Sequence, residues 1–124
     1  MRQSHTAVVA RNAAWNGSFT TEPWETAWAA EAVYFVRILD PDPFPIVLQY
    51  RVEISPDGIH WAELSQGTFE FDEQNPLWHK QLKHFGGWLR LSGTVSSSPE
   101  RKANYRYRSL QPIPRFMAYL TLKS

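Results

Sequence analysis

The sequence contains no cysteine, and this absence excludes disulfide bonds, thiolate metal ligands and a cysteine nucleophile. It also lacks a long apolar run, because the most apolar stretch, residues 27–39, is interrupted by Glu31 and Arg37. No transmembrane helix is therefore expected. The apolar run near the N-terminus is too short for a signal peptide. We expect a cytoplasmic protein with no membrane partner, in keeping with the reducing compartment that a cysteine-free chain suits.

Motifs for catalysis and for cofactors are missing as well. The chain has no G-x-S-x-G nucleophile elbow, no H-E-x-x-H pattern and no glycine-rich phosphate loop. His79 and His84 are five residues apart, and on a regular strand this odd spacing would place them on opposite faces. Asp40 and Asp42 alternate with prolines where a calcium loop needs flexible positions. We predict no catalytic residue, no metal site, no cofactor and a protein that is not an enzyme.

Aromatic residues and turn formers are abundant. Aromatics make up 15% of the chain, with six Trp, and nine Pro and six Gly imply many turns. Aromatic and β-branched residues favour strands over helices. The 124 residues are enough for one ordinary domain. We therefore predict that residues 1–124 form a single all-β domain.

The strongest local pattern predicts a β-hairpin. Residues 46–54 alternate apolar and polar side chains, which is the period of a strand with one buried face. The strand is followed by Ser55, Pro56, Asp57 and Gly58, in which the proline presets φ for a type I turn and the glycine tolerates positive φ. The alternation resumes over residues 59–64, which include Trp61.

Weaker patterns predict further strands at residues 30–39, 67–72, 78–85, 87–94 and 115–123. A helix competes for residues 25–32, because Ala and Glu are good helix formers. Residues 16–18 are interpreted as a turn, and residues 92–104, which are polar, as a long surface loop. Seven or eight strands without a long amphipathic helix predict a two-layer antiparallel β-sandwich or jelly roll.

The hairpin segment V-E-I-S-P-D-G-I-H-W, from Val52 to Trp61, resembles a hairpin of galactose-binding-like (discoidin-type) β-sandwiches. The chain as a whole is also similar to small uncharacterised bacterial β-sandwich proteins that carry this hairpin. The resemblance covers ten residues and implies a β-sandwich fold. Galactose-binding-like domains bind sugars or lipids through loops at one end of the sandwich, but no binding residue can be matched onto this chain.

Charge is divided unevenly along the chain. Residues 1–75 carry four Arg and eleven acidic residues, a net charge of −7, whereas residues 76–124 carry nine Lys or Arg and one Glu, a net charge of +8. Two interpretations remain open. Acidic strands can pair with basic strands within one sheet, or the two segments can promote contact between copies of the chain.

Aromatic and basic residues alternate in the second half, and such an arrangement can stack a sugar ring or a nucleobase. The alternative is that the Trp residues belong to the core while the cations cover a solvated face. An isoelectric point near 8.1 is too mild to favour nucleic acid. The residues predicted to bind a sugar or another small ligand are Trp78, Lys80, Trp88, Arg90, Arg106 and Arg108.

These observations favour a non-catalytic structural or assembly protein that forms a homo-oligomer. Six Trp exceed what the core of a chain this short readily buries, so some are expected at an interface between subunits. A carbohydrate-binding module is the alternative, and it predicts an exposed Trp or Tyr platform beside polar loops and a domain that works as a monomer. An enzyme remains a third hypothesis, because residues distant in sequence can converge in the fold.

Overall fold

A computed structural model describes residues 3–105 and 112–124 of the chain. In this part of the chain, no helix has the length and apolar composition that a membrane span needs. The described elements are nine strands and one short helix: β1 Ser4–Ala14, β2 Gly17–Thr20, β3 Trp24–Glu25, β4 Glu31–Leu39, β5 Ile46–Ser55, β6 Ala62–Phe71, β7 Leu77–Lys83, β8 Trp88–Ser97, α1 Pro99–Asn104 and β9 Arg115–Lys123.

The strands form two antiparallel sheets. The four-stranded sheet has the order β1-β9-β4-β7, and the five-stranded sheet has the order β2-β8-β5-β6 with the short β3 also paired to β8. Among the eight longer strands, the first pairs with the last, the second with the seventh, the third with the sixth and the fourth with the fifth. This nested pairing is that of a double-sheet jelly roll. The predicted antiparallel β-sandwich is therefore confirmed.

The core lies between the two sheets, and alternation along each strand decides which side chains enter it. On β4 and β9 every second residue is buried, including Tyr34, Val36, Phe116 and Leu120. On β5 and β8 the same period buries the residues Leu48, Val52, Leu89, Leu91 and Val95. A side chain on a strand therefore faces either the core or the outer surface of its sheet, as the period of two requires.

The predicted hairpin is confirmed, and its turn is held by side chains. The Ser55 Oγ accepts hydrogen bonds from the backbone N–H groups of Asp57 and Gly58, at 3.2 and 2.8 Å. The Asp57 Oδ1 accepts from the N–H groups of Ile59 and His60, both at 2.8 Å. Gly58 has a φ of 79°, as expected for a glycine in this turn. The sequence of the turn thus specifies its own hydrogen bonds.

Several predicted boundaries were wrong. Residues 59–64 and 67–72 do not form two strands, because β6 runs without interruption through residues 62–71. Residues 92–97 extend β8 rather than opening a loop, and residues 17 and 18 belong to β2 rather than to a turn. Strand β1 was not predicted at all. The pairing of β1 along β9 and of β2 along β8 stabilises these segments, and neither segment has the strict alternation that predicts a strand from sequence.

The predicted surface loop at residues 92–104 also contains a helix. Ser98 is its N-cap and accepts from the Arg101 N–H at 3.2 Å, and Pro99 occupies the first turn. Both residues are typical of a helix start, although the polar composition around them hides the signal.

Candidate binding surfaces

The outer surfaces of the two sheets differ in chemistry. On the four-stranded sheet, apolar side chains point away from the core near the centre of the sheet, and polar or charged residues such as Arg37, His79, Gln81 and Thr121 lie around them. Val8 and Leu77 are 39% and 47% exposed, and the other apolar side chains are partly exposed. Strand register places Tyr119 between Val8 and Phe35, and Thr121 beside Val33. We call this surface the apolar face, which consists of Val8, Val33, Phe35, Leu77, Met117 and Tyr119.

The outer surface of the five-stranded sheet is polar instead. Its residues come from β2, β5, β6 and β8, and they border a depression of about 860 Å³. In register, Gln49 lies between Thr94 and Thr68, and Arg51 lies between Ser92 and Gln66. We call this surface the polar face, which consists of Ser18, Thr20, Gln49, Arg51, Glu53, Gln66, Thr68, Arg90, Ser92 and Thr94.

Glu53 and Arg90 form the most ordered cluster on the polar face. The Arg90 Nε and Nη2 donate to the two carboxylate oxygens of Glu53 at 3.1 and 3.3 Å. The Ser92 Oγ donates to the same carboxylate at 2.7 Å. The Arg90 guanidinium also lies 4.2 Å from the centroid of the Trp61 ring, which is a cation–π contact. The cluster therefore fixes the rotamers of all four side chains.

The environment of Glu53 changes its protonation. Burial by itself would raise the pKa of this carboxyl group, but the hydrogen bonds from Arg90 and Ser92 and the charges of Arg90 and Arg51 outweigh burial. The pKa of Glu53 is consequently held below its ordinary value of 4.5. Glu53 is therefore a stable anion at neutral pH, and the positive charge of Arg90 is neutralised within the chain.

The β5–β6 turn brings together a serine, an acid and a histidine. The Ser55 Oγ donates to the Asp57 Oδ1 at 3.0 Å, and the His60 Nδ1 lies 2.7 Å from the Asp57 Oδ2. Hydrogen bonds from the backbone and side chain of His60 hold the pKa of Asp57 far below its ordinary value. The carboxylate stands between the other two groups, so the imidazole does not contact the serine hydroxyl as a general base must. The hydrogen bonds among Ser55, Asp57 and His60 stabilise the conformation of the β5–β6 turn.

The predicted ligand-binding residues do not form one site. Trp88 and Arg90 share the outer side of β8, which is the side expected for two residues of the same parity on the predicted strand 87–94. Trp78 is only 5% exposed, and its ring lies against Tyr50 in the core. The prediction that Trp78 belongs to a surface site is therefore wrong, because its side of β7 faces the other sheet. Lys80 is half-buried on that same side of β7, away from β8. The predictions for Arg106 and Arg108 concern residues outside the described part of the chain.

Sequence reasoning missed the polar partners of Arg90. Glu53 lies 37 residues from Arg90 in the chain, and only the pairing of β5 with β8 brings the two together. A local signal for Ser92 and Thr94 was present, since both have the parity of Arg90 on β8. The assignment of residues 92–104 to a loop concealed that signal.

Ion pairs within the chain support the interpretation that acidic and basic segments pair with each other. The Glu53–Arg90 pair joins the two segments, and so does Asp42 with Arg101, whose Nε donates to the Asp42 Oδ2 at 3.0 Å. Glu31 lies in register with Lys83 on one side and Lys123 on the other. The fold thus brings several acidic residues of the first segment beside basic residues of the second.

One end of the sandwich carries exposed apolar side chains on converging loops. The Thr26 N–H donates to the carbonyl of Gly87 at 2.6 Å and its hydroxyl to that of Gly86 at 3.0 Å. This places the loop before β4 beside the loop before β8. Trp28 and Ile59 are 41% and 74% exposed on the loops of this end.

Across residues 3–105 and 112–124, no group of three or more His, Asp or Glu side chains is arranged to hold a metal ion.

Neither a protein-family description nor a curated protein matches the chain in sequence. Among solved structures, the fold is similar to that of a chain in the structure of infectious bursal disease virus, Gx strain. The two share 9% sequence identity and a TM-score of 0.53 over 98% of this chain. The chain spans 32%, about a third, of the viral chain's length. At this identity the similarity concerns the jelly-roll fold.

Proposed function

We propose that the chain is a non-catalytic structural domain that self-associates through its apolar face. The observation that supports this proposal most directly is the contrast between the two outer surfaces. Monomeric soluble proteins rarely expose contiguous apolar patches larger than a few hundred Å², and larger patches mark sites of interaction. Aromatic residues and Met are also enriched at protein interfaces, and here Phe35, Tyr119 and Met117 occupy the centre of the face.

A second copy of the chain is the partner that this face fits best. Two sheets pack with their side chains interdigitated, as the two sheets of one sandwich do, so an apolar sheet surface is complementary to its own copy. The similarity to a virus structure agrees with this proposal, because jelly rolls build many viral capsids. Since the acids Glu53 and Asp42 have partners within the chain, apolar contact rather than charge is the proposed driving force.

The absolute mass in solution, measured by light scattering behind a sizing column, tests the proposal at low and at high salt. We expect a discrete multiple of 14.4 kDa in both buffers, because salt screens charges but does not weaken apolar burial. A monomer in both buffers would contradict self-association. An oligomer that dissociates at high salt would contradict the apolar face as its contact surface.

Matched valine variants locate the contact. Val8→Lys places a charge on the apolar face, and Val47→Lys places the same charge on the outer side of β5 in the other sheet. We expect Val8→Lys to dissociate the oligomer and Val47→Lys to leave its mass unchanged. Phe35→Glu is a second variant of the apolar face, and circular dichroism establishes that each variant is folded. Retention of the oligomer in both apolar-face variants would disprove the proposed surface.

A further inference from the structure

The depression on the polar face has features that the proposed assembly does not use. Its volume of about 860 Å³ lies within the range of roughly 300–1,000 Å³ that ligand sites occupy. Four strands supply its side chains, so the surface is held by the sheet rather than by loops. Of its fourteen lining residues, eight carry a hydroxyl or an amide, namely Ser18, Thr20, Gln49, Tyr50, Gln66, Thr68, Ser92 and Thr94.

We propose that this depression binds a neutral oligosaccharide. Hydroxyl groups both donate and accept hydrogen bonds, and a side-chain amide offers a donor and an acceptor side by side. A sugar presents a row of hydroxyl groups with the same dual capacity. The alternation along β5 and β8 repeats such groups at regular intervals across the sheet, as Gln49 beside Thr94 illustrates. A surface of this kind matches an extended polyhydroxylated chain better than an apolar ligand.

The charges on the polar face favour a neutral ligand over an anionic one. Arg90 is paired with Glu53 at 3.1 Å, and Arg51 is paired with Glu63 at 3.2 Å. Each arginine of the depression is therefore accompanied by a carboxylate. Anionic polymers are bound by cations that lack such compensation. The carboxylates can instead accept hydrogen bonds from sugar hydroxyls, and the guanidinium groups can donate to them.

The cluster around Glu53 is already in place before a ligand arrives. Arg90 and Ser92 hold the carboxylate, and Trp61 holds the guanidinium of Arg90 from the other side. Side chains that are already ordered lose less conformational entropy on binding. The site differs from the loop-end sites of galactose-binding-like domains, because it lies on the strands of one sheet.

Titration calorimetry with defined hexasaccharides tests the proposal. The probes are the neutral chains cellohexaose, laminarihexaose, xylohexaose, mannohexaose and chitohexaose, with a heparin hexasaccharide as the anionic comparison. We expect saturable binding of at least one neutral probe, with an affinity that does not depend on salt. Binding of the heparin probe alone would overturn the proposal, and so would the absence of binding to every probe.

A pair of matched double variants locates the site. Gln49→Ala with Thr94→Ala removes two neighbouring polar side chains from the depression, and both are exposed, so the fold is expected to tolerate the change. Gln81→Ala with Thr121→Ala makes the same substitutions on the outer side of the four-stranded sheet. We expect binding to weaken about 25-fold in the first variant, since each of the two lost hydrogen bonds costs roughly fivefold. Equal affinity in the two variants would refute the location.

This inference goes beyond the proposed assembly and does not depend on it. A monomeric chain that binds a neutral hexasaccharide would contradict the proposed assembly and support the sugar site. An oligomer that binds none of the probes would support the assembly and contradict the sugar site.

Discussion

The indole ring of Trp88 lies against Gly58, so that a Cβ atom at position 58 would stand 3.2 Å from two atoms of the ring. Gly58 also has a positive φ of 79°. One glycine therefore meets two requirements of the β5–β6 turn, which are a left-handed backbone and close contact with the first residue of β8. Trp88 was predicted as a ligand-binding residue, and its contact with Gly58 shows that it also packs against the turn.

Substitution Gly58→Ala is expected to lower the free energy of unfolding by about 2 kcal/mol, because alanine strains the left-handed backbone and displaces the Trp88 ring. Gly17→Ala is the matched control, since Gly17 has a φ of 94° but nothing within 4 Å of the added Cβ. We expect this control to lose only about 1 kcal/mol. Urea denaturation measures both values. Equal losses would show that contact with Trp88 contributes nothing.

Arg101 is expected to be the most sensitive charged residue of the described chain. Its side chain is 2% exposed, and it donates to Asp42 at 3.0 Å, to the Ser97 Oγ at 2.6 Å and to the Pro112 carbonyl at 2.9 Å. We expect Arg101→Ala to lower the free energy of unfolding by about 3–5 kcal/mol, because Asp42 loses its buried partner. Urea denaturation followed by Trp fluorescence provides the measurement.

The neighbouring Lys102 is exposed, and Lys102→Ala is the control, with an expected change within about 0.5 kcal/mol. If Arg101→Ala does not fold, Arg101→Lys retains a positive charge and allows the comparison. A stability of Arg101→Lys equal to that of the wild type would show that the forked guanidinium is not needed at this position.

Glu53 is expected to make stability depend on acid pH. Because its pKa in the folded chain is lowered, Glu53 contributes stability above the ordinary value of 4.5, and this contribution is lost as pH falls through the lowered folded-state pKa. Glu53→Gln should therefore flatten the loss of stability below pH 4.5, as measured by denaturation at a series of pH values. Glu70→Gln changes an exposed acid on β6 and is the control. Identical acid profiles for the two variants would contradict this role of Glu53.

Tyr34 is fully buried, and within the described residues its hydroxyl has no hydrogen-bond partner. Burial raises the pKa of Tyr34 well above its ordinary value of 10.0. The pKa of Tyr34 is higher in the folded chain than in the unfolded chain. The contribution of Tyr34 to the pH dependence of stability is therefore fully present below pH 10 and is lost as pH rises from 10 through the raised folded-state pKa. We expect Tyr34→Phe to raise the free energy of unfolding by about 1 kcal/mol at neutral pH.

The same variant should reduce the loss of stability above pH 10. Tyr119→Phe, on the partly exposed apolar face, is the control and should change neither quantity. Destabilisation of Tyr34→Phe at neutral pH would show that the hydroxyl makes a favourable interaction.

Local chemistry accounts for the parts of the fold that could be predicted. The turn from Ser55 to Gly58 was predictable because its hydrogen bonds and its positive φ depend on residues adjacent in sequence. The buried sides of β4, β5, β8 and β9 were predictable because successive side chains of a strand alternate between two faces. The polar helix at residues 99–104 was missed, although Ser98 and Pro99 are standard residues for a helix start.

The candidate surfaces could be predicted only in part. Parity placed Trp88 and Arg90 together on β8, but it could not reveal that Trp78 enters the core. Whether a given face of a strand is inner or outer depends on which sheet packs against it, and the strand itself does not specify this. The apolar face was not predicted for the same reason, since Phe35 and Val33 have the composition of buried residues.

The β class of the chain, its best hairpin and the alternation along its clearest strands follow from the amino-acid order alone, because turn chemistry and the period of two act over a few neighbouring residues. The nested strand order, the division into an apolar and a polar outer face, and the pairing of Glu53 with Arg90 and of Asp42 with Arg101 arise only in the folded molecule. These last pairs are 37 and 59 residues apart in the chain. Such contacts form only when the sheets assemble, since the pairing of distant strands depends on the packing of the whole sandwich rather than on any local segment.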